Sequence, residues 1–296
     1  MNNGPECLPC CLRRVLHCCD QLTADDWLRR KVLAEAMGSL SRADELATPA
    51  ELAFGVIHRA SKTLGDADPY AADKASWIEK TQACAGELRA LIEGSTDPML
   101  MATRLAGTAN LVGFEFRDEL PGGFGLKSLL RAAKAGELAL ASEVFEDFRS
   151  AVDAAERILF VHESAGELVF DRMMIEASGK SSAVWTSVVR SGPIGSDATR
   201  ADAESAGLAA IVGAIIDPGT PCRGVPLAAS SQAFRETFAA ADVVLAKGQA
   251  AYQTLEGGSA GSTGNGPAVF FLLRVRCALM ARQLGVRIGD VVLEAD

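Results

Sequence analysis

The stretch from Arg157 to Asp171, RILFVHESAGELVFD, decides the fold of this 296-residue chain. It opens with an uninterrupted apolar run, Ile158-Leu159-Phe160-Val161, and then passes through polar residues and a glycine into a second apolar segment. Such a run, when polar residues and a glycine bound it, is typical of a strand buried on both faces, as in a parallel sheet. The stretch therefore predicts a buried strand, a polar loop at its carboxyl end, and a following helix.

Similar apolar runs recur toward the C-terminus, and most are separated by segments long enough for a crossover helix. They are Ala183–Val189, Leu208–Ile215, Val243–Leu245, Val269–Leu273 and Val291–Leu293. Strands that alternate with helices predict an α/β fold with a doubly wound, mainly parallel sheet and helices on both faces. Between two of these runs, Gly257 to Gly266 is rich in glycine and serine and predicts a mobile loop.

Before Arg157, apolar residues recur at spacings of three and four, which predicts helices. The segments are Val32–Met37, Glu51–Thr63, Ala71–Ile92 and Pro98–Leu111, with breaks at Asp68-Pro69 and Pro121-Gly122-Gly123. Asp68 is predicted to cap the helix whose first turn holds Pro69. The chain is therefore predicted to divide into a helical domain, residues 1–150, and an α/β domain, residues 151–296.

Composition and charge narrow the class of partner. Apolar residues make up 49% of the chain and charged residues 23%, which predicts a sizeable core. The net charge of −9 argues against nucleic acid and anionic membrane surfaces as partners. No apolar run reaches the roughly 18–20 residues that span a bilayer. We therefore expect a cytoplasmic protein whose eight cysteines are mostly reduced.

Polar residues follow several predicted strands at the point where each strand ends. Glu163 and Ser164 follow the first strand, Asp197 lies after the second, and Lys247 closes a later one. Ligands of open parallel sheets bind at the carboxyl ends of the strands. Two carboxylates and a neutral oxygen suit a hard cation, and a lysine suits a phosphate.

Helix capping is an alternative explanation for some of these residues. Ser164-x-x-Glu167 and Thr199-x-x-Asp202 both have the spacing of a capping box, which would make them structural. Capping does not account for Glu163, Asp197 or Lys247, which as single charges could also be solvated loop residues.

In order along the chain, the motifs resemble those of the prokaryotic branch of the metal-dependent damage-control phosphatase family. The matching segments are Glu6-Cys7-x-x-Cys10, Asp68-Pro69-Tyr70 with Lys74, Ile158–Asp171, Arg190–Asp202, Ala241–Leu255 and Phe270–Cys277. They span nearly the whole chain. The resemblance implies a phosphatase that acts on small phosphorylated metabolites, often sugar phosphates, with a divalent metal such as Mn, Co, Ni or Mg.

The resemblance also assigns residues, all within the α/β domain, which is thereby the predicted metal- and phosphate-binding domain. The implied metal ligands are Glu163, Ser164 and Asp197; the catalytic residues are Asp197 and Glu167; and the phosphate-binding residues are Lys247, Gly248, Arg190 and Ser196. Five positions depart from the family pattern: Glu163 and Ser164 stand for Asp and Asn, Ala251 and Gln253 for Asn and Glu, and Gly113 for Asp.

Three functions follow as hypotheses. The first is a phosphatase, the second a family member that binds a phosphorylated ligand without turnover, and the third a dinucleotide-binding Rossmann protein. The third is disfavoured because Ser164-Ala165-Gly166 stands where Gly-x-Gly-x-x-Gly is expected. Cys7-x-x-Cys10 has zinc or redox spacing, but a set of thiols on a buried helix face is the favoured interpretation.

Overall fold

A computed structural model of the protein describes residues 1–110, 125–257 and 266–296. The predicted break at Pro121-Gly122-Gly123, the family position at Gly113 and residues 258–265 of the glycine- and serine-rich segment lie outside this description. In the part that the structure describes, no helix is both long and apolar enough to cross a membrane.

Before the first strand, the regular elements in residues 1–110 and 125–157 are helices. They are α1 Cys7–Leu22, α2 Asp26–Leu40, α3 Pro49–Leu64, α4 Ala71–Ala83, α5 Ala85–Glu93, α6 Pro98–Thr108, α7 Leu126–Lys134 and α8 Phe145–Ala154. The predicted helix over Ala71–Ile92 is thus two helices that meet at Cys84. Helix α8 runs across the predicted boundary at residue 150, and the division into two domains stays a prediction.

Local sequence signals explain how these helices begin and end. Thr48 and Glu51 form a capping box at the start of α3, with Pro49 as the first helical residue. Gly65 ends α3 in the left-handed conformation with φ +78°. The predicted cap at Asp68 is wrong. Helix α4 begins after Tyr70 without a side-chain cap, and Asp68 instead forms an ion pair with the buried Lys74, with the oxygen and nitrogen 2.7 Å apart.

Within the described ranges, six strands form one sheet in the order β3-β2-β1-β4-β5-β6. They are β1 Ile158–Val161, β2 Trp185–Val188, β3 Ala214–Ile216, β4 Val243–Lys247, β5 Ala268–Arg274 and β6 Val291–Ala295. All neighbouring pairs are parallel except β5 and β6, which are antiparallel. The interleaved helices are α9 Leu168–Ala177, α10 Arg200–Ser205, α11 Gln232–Ala239, α12 Gly248–Leu255 and α13 Ala278–Leu284. The predicted α/β, mainly parallel sheet is confirmed.

One predicted strand is displaced. The run Leu208–Ile215 was expected to be extended, but Leu208–Ala210 forms a short 3₁₀ turn and the strand begins only at Ala214. Gly207, with φ +81°, ends the preceding helix and redirects the chain into that turn. Leu208 is apolar because it is buried in the turn, not because it lies in the sheet.

Both faces of the sheet are covered by separate apolar clusters. Along β1, Ile158 and Phe160 pack into one cluster while Leu159 and Val161 pack into the other, as the two-residue period of a strand requires. The chain leaves β1 toward β2 on one side and later returns to β4 on the other. A crevice therefore lies at the carboxyl ends of β1 and β4, where the winding direction reverses.

Candidate active site

The loops after β1 and β2 meet at this crevice. Ser164 and Asp197 form an isolated antiparallel backbone bridge, and the Ala198 N–H donates to the Glu163 carbonyl at 2.7 Å. Arg190 is joined to the same loop, because its N–H donates to the Ala198 carbonyl at 2.8 Å. The structure therefore brings the three predicted metal-ligand positions, Glu163, Ser164 and Asp197, next to one another.

Glu163 is buried and fully hydrogen bonded. Arg276 Nη2 donates to its two carboxylate oxygens at 2.9 and 3.1 Å, and Asn110 Nδ2 donates to Oε2 at 2.8 Å. Burial alone would raise the pKa of Glu163, but Arg276, Arg223 and Asn110 outweigh burial and lower it. Glu163 is therefore held as a carboxylate by its neighbours.

Asp197 lies between two buried guanidinium groups. Arg190 Nε donates to Oδ2 at 3.1 Å, and Arg223 Nη2 donates to Oδ1 at 2.7 Å. The side chain of Asp197 is completely buried, and both arginine side chains are at most 5% exposed. Hydrogen bonds between a guanidinium group and a carboxylate are shorter and stronger than those between neutral groups.

Arg223 and Arg276, which contact the two acids, were not predicted from the sequence as site residues. Arg223 lies in the long connection between β3 and α11, and Arg276 follows β5, so each could have been found by reading every loop at this edge of the sheet. The signal missed was that arginines, as well as acids, follow several of the strands.

Arg223 is fixed by the packing of its neighbours against α12. Gly224 has φ +71°, and a Cβ there would lie 2.2 Å from the Ala250 carbonyl oxygen. The Val225 N–H donates to Thr254 Oγ1 at 2.8 Å. The backbone on the C-terminal side of Arg223 is therefore locked onto the helix that begins beside Glu163.

Lys247, the predicted phosphate-binding lysine, is completely buried between two carboxylates. Its Nζ lies 2.7 Å from Glu167 Oε2 and also contacts Asp171 Oδ1. Burial would lower the pKa of Lys247, but Asp171 and Glu167 outweigh it and raise the pKa. Asp171 in turn contacts His162 Nδ1 at 2.8 Å. In this conformation the ammonium group of Lys247 faces these carboxylates, and its binding to a phosphate stays a prediction.

Glu167, the second predicted catalytic residue, lies between the two groups of charges. Asn110 Nδ2 donates to Glu167 Oε2 at 3.0 Å as well as to Glu163, while Glu167 Oε1 has no hydrogen-bond partner among the described residues. Burial raises the pKa of Glu167 to about 8, helped by Glu163 and Asp171 and opposed by Lys247. Burial thus favours the protonated form of Glu167, in contrast to Glu163 and Asp171, whose pKa values are lowered.

The two predicted capping boxes have different outcomes. Thr199 and Asp202 form one at the start of α10, as predicted. Ser164 and Glu167 do not, because Ser164 Oγ donates to the carbonyl of Ser196 at 3.3 Å and Glu167 turns to Lys247. Ser196, predicted to bind phosphate, thus contacts Ser164 through its backbone and lies beside Asp197.

Gly248, also a predicted phosphate-binding residue, lies against Glu163. Its φ is +82°, and a Cβ there would lie 2.0 Å from Glu163 Oε2. Only glycine combines that conformation with so close an approach. The position thus lets α12 begin in contact with the carboxylate.

A cavity of about 360 Å³ opens beside this site, between the sheet edge and helices α1 and α3. Its polar and charged lining includes Glu6, Arg13, Arg14, Glu163, Arg223, Gln249, Gln253 and Arg276, and its cysteines are Cys7, Cys10, Cys11 and Cys277. The buried-thiol interpretation holds for Cys11, Cys18 and Cys19, which pack in an apolar cluster, whereas Cys10 is exposed on the cavity side. The start of the Cys-x-x-Cys helix thus forms part of the cavity wall.

Glu163, Ser164 and Asp197 offer the oxygen donors that hard divalent cations prefer. However, all four carboxylate oxygens already accept a hydrogen bond from an arginine. Across residues 1–110, 125–257 and 266–296, no three His, Cys, Asp or Glu side chains form a group that could hold a metal. The donors are suitable, but as arranged they do not fit a divalent ion unless arginines move.

Comparison with known proteins agrees with this arrangement of motifs. The family model described as the damage-control phosphatase ARMT1-like domain matches residues 4–292. A damage-control phosphatase of Pyrococcus horikoshii is 31% identical over 97% of this chain and 96% of its own length. A damage-control phosphatase of Archaeoglobus fulgidus is 28% identical over 99% and 98%. The crystal structure of a DUF89 family protein from Pyrococcus horikoshii superposes with a TM-score of 0.85 at 29% identity, covering 100% of this chain and 99% of that one. The chain belongs to the damage-control phosphatase family with an ARMT1-like domain.

Proposed function

We propose that this protein hydrolyses the phosphate ester of small phosphorylated metabolites, such as sugar phosphates, in the cavity beside Glu163 and Asp197. The observation that carries the proposal is the meeting of these two buried acids with three arginines. Glu163, Arg223 and Arg276 of this group line a cavity of about 360 Å³, and Asp197 and Arg190 lie directly behind Arg223. A cavity of that size suits a small metabolite. Membership of the family supports the reaction class.

Phosphoryl transfer depends mainly on positioning and on neutralising the charge of the phosphate oxygens. In this proposal the guanidinium groups of Arg190 and Arg223 hold those oxygens, because charged pairs of this kind are strong and directional. Asp197, which both arginines contact, orients the attacking water or attacks phosphorus itself. Glu167 is the group that exchanges a proton with the reacting oxygens.

The resemblance also implies a divalent ion on Glu163, Ser164 and Asp197. Because the arginines already occupy the carboxylate oxygens, we assign no step of the reaction to such an ion. Metal dependence is therefore a separate question, which the same assay answers.

The test is release of inorganic phosphate from a panel of sugar phosphates and other small phosphate monoesters. Each substrate is assayed with EDTA and, separately, with Mn, Co, Ni or Mg. We expect release from at least one substrate, and a loss of about 100-fold or more for Asp197→Asn. The exposed Asp147→Asn is the matched control and should retain full activity. No release under any condition would refute the proposal.

A family member that binds a phosphorylated ligand without turnover is the second candidate. It is favoured by the third motif, where the buried Ala251 offers no polar group and Gln253 lines the cavity in place of a carboxylate. Saturable binding of a sugar phosphate together with no phosphate release in any arm of the assay would establish it.

A further inference from the structure

We propose that Arg190 and Arg223 form a phosphate-binding site that works without a metal ion, with guanidinium groups taking the place of a cation around Asp197. The proposal rests on the proposed function in one respect only, the phosphorylated nature of the ligand. It adds that the two arginines bind the phosphate group in the absence of a metal ion and of any reaction.

The first argument is the hydrogen-bonding state of the two arginines. Arg190 Nη1 and Nη2 and Arg223 Nη1 are buried and have no hydrogen-bond partner among the described residues. A buried guanidinium nitrogen whose N–H groups have no acceptor is unfavourable, and three such nitrogens belong to the two arginines that contact Asp197. A phosphate group, which offers several acceptor oxygens, is a ligand that would satisfy them.

The charges of the side chains around Glu163 and Asp197 also favour an anion as the ligand. Three guanidinium groups, those of Arg190, Arg223 and Arg276, face two carboxylates, those of Glu163 and Asp197. These five side chains carry one positive charge in excess, inside a chain whose net charge is −9; the adjoining group of Lys247, Glu167 and Asp171, which Asn110 links to Glu163, is counted separately. An uncompensated buried charge is unfavourable unless an opposite charge joins it. An anion corrects this imbalance, whereas a divalent cation would enlarge it.

Access and rigidity also favour a ligand at Arg223. Arg223 lines the cavity and contacts Asp197, which Arg190 contacts from its other side, so Arg223 connects the cavity to this buried group. Its backbone is held by the packing of Gly224 and Val225 against α12, and its side chain by Asp197. A site held in this way before the ligand arrives loses little freedom on binding.

The test is calorimetric titration of inorganic phosphate into the full-length protein after dialysis against EDTA. We expect saturable binding without metal, and a weakening of about tenfold or more for Arg223→Met, because a charge-assisted hydrogen bond is lost. Arg157→Met is the matched control, because Arg157 is a surface arginine that is also paired with an aspartate. It should bind phosphate like the wild type, and Arg223→Lys should bind more tightly than Arg223→Met.

Thermal unfolding of each variant establishes that it is folded, and the wild-type titration stands even if Arg223→Met does not fold. Phosphate binding that requires added Mn or Mg would overturn the proposal, as would no binding under any condition or equal binding by Arg223→Met. The two proposals fail separately. Phosphate binding in EDTA without ester hydrolysis removes only the enzymatic function, whereas ester hydrolysis together with phosphate binding that requires a metal removes only the metal-free site.

Discussion

Replacing Lys247 by methionine should destabilise the protein strongly, because this lysine is the cation that contacts two completely buried acids and the pKa of one of them, Asp171, is lowered. Its Nζ contacts Asp171 and lies 2.7 Å from Glu167, and none of the three side chains is exposed. Removing one partner of a buried ion pair costs about 3–5 kcal/mol, because the remaining charge stays buried without compensation. For a chain of this size, that loss lowers the melting temperature by on the order of 10 °C.

The assay is equilibrium unfolding in urea, followed by circular dichroism, for the wild type and Lys247→Met. Lys134→Met is the control, since Lys134 pairs with Glu87 at the surface, where the side chains are 59% and 40% exposed. That variant should lose less than about 1 kcal/mol.

A compensated variant isolates the cause of the loss. Adding Glu167→Gln and Asp171→Asn to Lys247→Met removes the buried negative charges and should restore part of the stability. A loss below about 1 kcal/mol for Lys247→Met alone would refute the reasoning. It would also favour the sequence-based prediction that Lys247 serves a phosphate and not the fold.

Three further predictions concern the same edge of the sheet. Gly248→Ala should lower the free energy of unfolding in urea by about 2–4 kcal/mol, because φ is left-handed and the added Cβ clashes with Glu163. The loss should exceed that of Gly65→Ala, where φ is also positive but no atom lies within 4 Å of the added Cβ. Equal losses for the two variants would contradict the clash. Burial raises the pKa of Glu167 from 4.5 to about 8, so the contribution of Glu167 to stability is present below pH 4.5 and is lost as pH rises through 8. Glu167→Gln should therefore reduce the dependence of the unfolding free energy on pH over that range. Parallel curves of unfolding free energy against pH for the wild type and the variant would refute this. Glu163→Asp combined with Ser164→Asn restores the family's residues and should tighten Mn binding in calorimetry if these positions are ligands, whereas unchanged affinity would exclude that assignment.

The sheet was largely predictable because its strands are buried on both faces. Every residue of Ile158–Val161 and Val269–Leu273 is apolar because every one of them is buried. Runs this short between turn residues are typical of strands, because helices are usually longer. The displaced strand after Leu208 shows the limit of this reasoning. A residue buried in a short turn is as apolar as one in a strand, and periodicity over so few residues does not distinguish them.

The site was predictable in its location and acids, but not in its pairing. Topology alone brings the ends of β1 and β2 together, so the proximity of Glu163 and Asp197 follows from the order of the strands. The hydrogen-bond partners of these acids depend on how the connections that follow β3 and β5 pack against the carboxyl edge of the sheet. Arg223 reaches Asp197 because Gly224 permits close contact with α12, and nothing local in the sequence specifies that contact.

Two parts of the chain form the cavity wall, and they differ in the residues that they contribute. Helices α1 and α3 contribute one side, including Arg13, Arg14 and Ala53, while the charged pairs of the sheet edge form the other. Under the proposed function, a substitution among the α1 and α3 residues that line the cavity changes which molecule enters, without changing the ion pairs of the opposite wall that contact its phosphate. Selection of the ligand is then separable from binding of its phosphate.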